Sequence, residues 1–309
     1  MQPILIILLI LCVGALLLVI ILLNKSTKKS QSNTIVHEEK NLELRKTFHK
    51  IDEKNGDYES SIQYAKRLVD AIFKIGALVQ FDKLDYFLLY RPKDIISGDF
   101  VWHISKYDRH YFAVADCTGH GVPGAFMSII SYNLLNQAVN EHGYSKPSEI
   151  LEYMNRRHFE IFNEKNINQI RDGMDIGICV VDTDSEIVEF AGAMRPMYRI
   201  SANGEFEKIR GDRTSIGDAM DRGAVKFKDH FLELSEGDTI YLTSDGYVDQ
   251  FGGLEGKKFK NRKFNSILSE MSKNNMKEQH KKLNFELSNW MKEHEQNDDI
   301  TVLGIRFCP

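Results

Sequence analysis

The chain begins with a nearly unbroken apolar run from Ile4 to Leu23, followed by a polar and charged segment from Ser26 to Glu39. A helix of about 20 apolar residues is long enough to cross a hydrocarbon core of roughly 30 Å. A cleaved signal peptide is the main alternative, but no Lys or Arg precedes the run and no Ala-x-Ala site follows it. We therefore predict a transmembrane helix over residues 1–24 and a juxtamembrane linker over residues 25–40.

Three lysines, Lys25, Lys28 and Lys29, follow the apolar run directly. Basic residues next to a membrane span favour the cytoplasmic side, which is the positive-inside rule. We therefore expect one membrane crossing, with the remainder of the chain in the cytoplasm.

A second pattern begins at residue 44, where apolar positions recur at alternating steps of four and three. Its members are Leu44, Phe48, Ile51, Asn55, Tyr58, Ile62, Ala65, Val69 and Ile72. One interpretation is an amphipathic helix that packs on its own domain. The other is a parallel coiled coil over residues 41–76, which makes the protein a homodimer, with Asn55 as the single polar residue that fixes register. The pattern favours the coiled coil.

Residues 77–309 contain short strand-like runs and several helices. We predict three hairpins from alternation and turn residues: Phe100–Ser105 with His110–Ala115, Met174–Val181 with Ile187–Ala191, and Met197–Ser201 with Glu207–Ile209. Two further strands are predicted at Thr239–Thr243 and Ile300–Phe307, and helices at Ala125–Glu141, Ser148–Asn163, Asn265–Lys273 and Lys277–His294. Hairpins and paired helices, without regular βαβ alternation, indicate an α+β fold.

Composition excludes several classes of protein. The chain has 309 residues, 42% of them apolar, and a net charge of −4 with both signs mixed, so it carries no basic nucleic-acid footprint. Its four cysteines form no Cys-x-x-Cys pair, which argues against a zinc knuckle or a disulfide framework.

Four aspartates carry the candidate chemistry: Asp99 in S-G-D-F, Asp116 in A-D-C-T-G-H-G, Asp245 in T-S-D-G and Asp298 in N-D-D-I-T. Each lies beside a predicted strand, so strands deliver carboxylates to loops. Carboxylate oxygens are the ligands that Mg²⁺ and Mn²⁺ prefer. One Asp-Gly pair alone is an ordinary turn, but four such segments in one domain indicate a site for divalent cations.

These segments, together with A-G-A-M-R-P-M-Y, resemble the PPM superfamily of metal-dependent serine/threonine phosphatases. Within it they resemble the bacterial SpoIIE-like branch, which dephosphorylates anti-sigma-factor antagonists. The resemblance covers roughly residues 62–307 and implies an α-β-β-α sandwich of two antiparallel sheets flanked by helices over residues 77–309. It also implies a phosphorylated STAS-type antagonist as the substrate. For a bacterial protein, the transmembrane helix predicted above corresponds to a location in the inner membrane.

The resemblance implies a role for each site residue. Asp116 bridges two cations, Mn²⁺ or Mg²⁺, and the backbone carbonyl of Cys117 completes the shell of the first. Asp245 and Asp298 hold the second cation, and Asp99 contacts a cation directly or positions its waters. A water activated by both cations then attacks the phosphorus.

Other residues near these segments have less specific interpretations. His120 could protonate the leaving oxygen or serve only the turn, and the turn is favoured. Arg91 and Arg195 could reach a phosphate, but a solvated or salt-bridged side chain is favoured for both. Asp172 and Asp175 could touch a third cation, although turn and surface roles are favoured.

Three residues complete the list of candidates. The chain has Met194 where the family often has Asn. Asp299 is expected to cap a turn or orient water. The Cys117 thiol is disfavoured as a nucleophile, because nearby carboxylates oppose a thiolate.

The sequence thus predicts a membrane-anchored protein serine/threonine phosphatase. The alternative is a catalytically silent scaffold with the same fold, which the four retained aspartates argue against. A diguanylate cyclase, suggested by S-G-D-F alone, lacks the acidic doublet that its motif requires.

Overall fold

The computed structural model describes residues 2–73, 81–163, 172–217 and 225–309. Contacts divide the chain into two units, Met1–Ser61 and Ile62–Pro309. The boundary predicted between residues 76 and 77 lies outside the described residues.

The first unit is helical. Helix α1 (Gln2–Phe73) supplies all its described residues, includes the predicted linker at 25–40 and ends inside the second unit. Within the described residues, Ile6–Lys29 is the one helical stretch that is long and apolar enough to cross a membrane, although a signal sequence would pass the same test.

Two five-stranded antiparallel sheets form the second unit. The first has the order β2-β3-β4-β5-β8, with strands at Asp99–Lys106, Arg109–Cys117, Met174–Asp182, Ile187–Ala193 and His230–Glu233. The second has the order β1-β12-β9-β6-β7, with strands at Leu84–Arg91, Ile300–Phe307, Thr239–Thr243, Met197–Ile200 and Phe206–Ile209. A small separate hairpin pairs β10 (Phe251–Gly252) with β11 (Lys257–Lys258).

Helices cover the outer face of each sheet. The first sheet carries α2 (Gly121–Asn136), which continues into a π-helical turn at Gln137–Glu141, and α3 (Pro147–Asn163). The second carries α5 (Asn261–Glu270) and α6 (Met276–Met291), and the short α4 (Gly246–Asp249) follows β9. The predicted α-β-β-α sandwich is confirmed.

Both faces of the central strands are buried. In β3, Phe112 and Val114 point into the core between the sheets, whereas Tyr111, Ala113 and Ala115 contact the helical layer. A strand whose two faces are both buried has a continuous run of apolar residues instead of alternating apolar and polar residues. This explains why the central strands are so apolar.

The last stretch of α1, from Ile62 to Phe73, belongs to the second unit and packs within it. Ile62, Ala65, Val69 and Phe73 lie against its helical layer, and the Phe73 ring centroid is 5.0 Å from that of Tyr132. Ile72, the last predicted seam position, is exposed. The amphipathic-helix interpretation therefore holds for this last stretch of α1.

Candidate active site

Strand register brings three carboxylates side by side at one end of the first sheet. Asp99 at the start of β2 is paired with Asp116 near the end of β3, and Asp116 is paired with Asp175 near the start of β4. Because neighbouring strands lie about 5 Å apart, this register alone gathers negative charge.

The second sheet adds two more carboxylates at the same place. Asp245 follows β9, and Asp298 precedes β12, its antiparallel neighbour. The pairing continues beyond the strands, since the Ser244 N–H donates to the Thr301 carbonyl (3.0 Å). Asp245 and Asp298 line a cavity of about 600 Å³ together with Asp116, Cys117, Thr118, Gly119, His120, Gly173, Met174, Asp175, Arg195 and Ser215.

The Arg195 guanidinium lies at the centre of this cavity wall. Its Nη2 atom is 2.7 Å from Asp245 Oδ2, 2.9 Å from Asp175 Oδ2 and 3.1 Å from Asp116 Oδ2. Burial lowers the pKa of Arg195, but the three carboxylates outweigh that effect and raise it above its ordinary value. The side chain therefore stays charged.

A tight turn delivers Arg195 to the carboxylates. The Arg195 N–H donates to the Ala193 carbonyl (2.7 Å) across Met194, whose φ is +61°. This three-residue turn places a non-glycine residue in the left-handed region, which costs on the order of 1 kcal/mol. Gly192 makes room for it, because a Cβ there would lie 2.2 Å from the Arg195 carbonyl oxygen.

Asp99 lies behind the cavity wall. It is buried, and its Oδ2 accepts a hydrogen bond from Thr301 Oγ1 (2.7 Å). Burial raises its pKa to about 7, although hydrogen bonds from Ser244 and Thr301 act in the opposite direction. Asp99 is thus placed to act through Asp116 or through water, since it is absent from the described cavity lining.

The cluster is short of positive charge. Burial raises the pKa of Asp116 to about 9, repulsion by Asp99 adds to the rise, and Arg195 opposes it. Among the described lining residues, four carboxylates face one guanidinium. Bound cations would supply the missing charge.

The donor chemistry fits hard divalent cations, because every charged donor is a carboxylate oxygen. Within the described ranges, however, no three His, Cys, Asp or Glu side chains are arranged as a metal-binding group. The Nη2 atom of Arg195 lies between three of the carboxylates instead.

The remaining candidates differ in their contacts. The Cys117 thiol is buried near Ser131 Oγ (3.9 Å), and burial raises its pKa well above its ordinary value, which argues against an activated nucleophile. His120 Nδ1 lies 2.6 Å from Asp94 Oδ2 at the edge of the cavity. Arg91 points to α6, where its Nη1 is 3.2 Å from Ser288 Oγ.

Asp299 has a structural contact. Its buried carboxylate accepts the backbone N–H groups of Lys93 and Gly98, each at 2.7 Å, and so fixes the loop between β1 and β2. This agrees with the expected capping of a turn. Asp172 is not part of the described lining.

The sequence patterns gave too little weight to Asp175 and Arg195, and they did not point to Ser215 at all. Asp175 contacts Arg195, and its Oδ1 accepts a hydrogen bond from Ser215 Oγ (2.5 Å), so it belongs to the cluster and not to the surface. If β3 and β4 had been predicted to be neighbours in one sheet, the register would have placed Asp175 directly opposite Asp116. Nothing in the local sequence distinguishes Arg195 from a surface arginine.

Residues 106–308 match the family model of stage II sporulation protein E (SpoIIE). The SiaA-PP2C domain of Pseudomonas aeruginosa is 30% identical, with a TM-score of 0.73, over 82% of this chain and 97% of that one. A search of curated proteins found no significant match.

Two less similar structures share the fold. One contains the PP2C phosphatase domain and a fragment of the regulatory domain of SpoIIE from Bacillus subtilis (16% identity, TM-score 0.59, 74% of this chain and 64% of that one). The other is RsbX in complex with magnesium (14% identity, TM-score 0.53, 74% and 98%).

Proposed function

The chain belongs to the SpoIIE family of PP2C-type serine/threonine phosphatases, and we propose that it is a membrane-anchored, metal-dependent enzyme that dephosphorylates a cytoplasmic signalling protein. The observation that carries the proposal is the convergence of Asp116, Asp175, Asp245 and Asp298 on one cavity from the ends of strands in both sheets.

We assign two Mn²⁺ or Mg²⁺ ions to this cavity. The carboxylates of Asp116, Asp245 and Asp298 and the backbone carbonyl of Cys117 would hold them. The donor set and the excess of negative charge support this assignment, and the related RsbX has been solved with magnesium. Bound cations would neutralise the phosphoryl oxygens and lower the pKa of water.

The protein's own groups prepare the site. The hydrogen bond from Thr301 holds Asp99 behind Asp116. The two backbone hydrogen bonds that the Asp299 carboxylate accepts fix the loop that leads into β2. The Thr118 hydroxyl donates to the Gly173 carbonyl (3.0 Å), and this hydrogen bond connects the turn after β3 to the residue that precedes β4. Carboxylates held this way need little reorganisation during the reaction.

The proposed substrate is a phosphoserine or phosphothreonine on a small STAS-type antagonist domain. Membership in the SpoIIE family supports it. The cavity is open to a phosphorylated loop on a protein surface, since its rim includes the exposed His120.

Phosphate release by the full chain in detergent tests the proposal. We expect release from a phosphoserine peptide with Mn²⁺, none with EDTA, and much less from a matched phosphotyrosine peptide. Cation binding without release from any phosphoester would favour the silent scaffold.

We further propose that α1 anchors the protein in a bacterial inner membrane, with Ile62–Pro309 in the cytoplasm. The exposed apolar stretch Ile6–Lys29 and the lysines within and after it support this orientation.

We also propose a homodimer through the exposed part of the α1 seam. Leu44, Phe48, Ile51 and Tyr58 are at least half exposed in the single chain. Large apolar side chains repeated at heptad spacing are typical of a helix that pairs with another.

A further inference from the structure

We propose that Arg195 is an internal counter-cation: it holds the site's carboxylates together in the cation-free protein and competes with divalent cations for them. The inference rests on the proposed metal-dependent function and adds a role for a residue outside the assigned ligands.

The contacts of Arg195 support this role. One nitrogen, Nη2, contacts Asp116, Asp175 and Asp245 within 3.1 Å. Two of these, Asp116 and Asp245, are carboxylates that we assign to the cations. The guanidinium and the cations therefore need the same carboxylate groups.

Little else holds the guanidinium in place. Its Nε is buried, and no hydrogen-bond partner for it exists in the described part of the chain. Buried polar atoms nearly always have partners. A group attached chiefly through the carboxylates can leave them when a stronger cation arrives.

The backbone, in contrast, is firmly fixed. The Met194 N–H donates to the Asp212 carbonyl (2.8 Å), and the Asp212 N–H donates back to the Gly192 carbonyl (2.8 Å). Gly192 and Gly211 pack against the Arg195 carbonyl so closely that a Cβ on either would lie within 2.5 Å of it. The turn thus keeps the Arg195 backbone beside the cavity, so only the Arg195 side chain has to move for cations to bind.

Charge balance gives the direction of the effect. One guanidinium offsets part of the repulsion among three carboxylates, whereas two divalent cations would offset all of it. Without Arg195, the carboxylates of the cation-free site repel one another more strongly. The cation-free protein is then less stable, and the site binds cations more tightly.

The test is Arg195→Gln in the full chain in detergent, with the thermal midpoint measured in EDTA and Mn²⁺ affinity measured by calorimetry. We expect a lower midpoint in EDTA and Mn²⁺ binding tighter by about tenfold, within the usual range of coupling between two bound groups. The gain in midpoint on adding Mn²⁺ should exceed that of the wild type.

Arg199→Gln is the matched control. Arg199 lies in β6, is also largely buried, and pairs with Asp238 through Nε (3.1 Å) and Nη2 (2.6 Å). Its loss should lower the midpoint in EDTA but leave Mn²⁺ affinity unchanged, because Asp238 is not in the described cavity lining.

Equal or weaker Mn²⁺ binding by folded Arg195→Gln, with normal binding by the wild type, would overturn this inference alone. Absence of Mn²⁺ binding in both proteins would overturn the proposed metal-dependent function as well. If Arg195→Gln does not fold, Arg195→Lys replaces it: a smaller gain in Mn²⁺ affinity is expected, and equal or weaker binding would overturn the inference.

Discussion

Two adjacent aspartates, Asp298 and Asp299, have different contacts although their sequence context is the same. Asp298 is exposed and lines the cavity, whereas Asp299 is buried and accepts two backbone N–H groups. One carboxylate is therefore available to a cation and the other supports the loop.

Substitution by Asn should separate these roles. Asp299→Asn places an amide N–H₂ against at least one backbone N–H, so we expect a loss of about 2 kcal/mol in the free energy of unfolding. Asp298→Asn should leave stability nearly unchanged and weaken Mn²⁺ binding. Denaturant unfolding in EDTA and calorimetry measure the two effects, and a reversed pattern would show that the roles are exchanged.

Site residues could be predicted from the sequence where a distinctive motif surrounds them. Asp116, Asp245 and Asp298 lie in distinctive segments, and the structure brings all three to one cavity. Arg195 and Asp175 could not be ranked, because their roles come from contacts between β4, the turn after β5 and the loop after β9. Such contacts leave no local pattern in the sequence.

At the scale of elements, the three predicted hairpins are present because each is a local pairing across a short turn. Strand β1 was missed: its partner is β12, at the opposite end of the chain. Strand β8 was missed as well, because it is only four residues long and at least partly exposed along its length. Non-local pairing and short edge strands give weak sequence signals.

The predicted seam on α1 divides into two parts. Ile62, Ala65 and Val69 pack on the helical layer of their own unit, while Leu44, Phe48, Ile51 and Tyr58 remain exposed. A heptad pattern alone cannot tell these two uses apart, because each requires an apolar stripe on a helix.

Phe48→Asp should abolish the proposed dimer, because it places a charge at a seam position of each helix. Lys46→Asp is the control, since residue 46 lies off the seam. Light scattering of the full chain in detergent should give a dimer for the wild type and Lys46→Asp and a monomer for Phe48→Asp. A Phe48→Asp dimer would exclude this seam as the interface.

At the scale of the whole molecule, the α-β-β-α sandwich was implied by the family resemblance that the motifs carry, whereas membrane topology rests on composition alone. Cys308 offers a direct test, because it is exposed, Cys117 and Cys179 are buried, and the other exposed cysteine, Cys12, lies inside the apolar stretch proposed to be in the membrane. A membrane-impermeant maleimide should label Cys308 in lysed spheroplasts but not in intact ones, with Cys308→Ser as the unlabelled control. Labelling in intact spheroplasts would place this unit outside the membrane.

The central claim is that the carboxylate cluster hydrolyses phosphoesters with the help of divalent cations. The most direct measurement is phosphate release from a phosphoserine peptide in Mn²⁺ by Asp245→Asn and by Asp249→Asn, its neighbour in α4. Asp249 pairs with Lys258 and is not among the described lining residues. We predict a loss of at least about a hundredfold for Asp245→Asn and wild-type release for Asp249→Asn; equal rates for both variants would contradict the account.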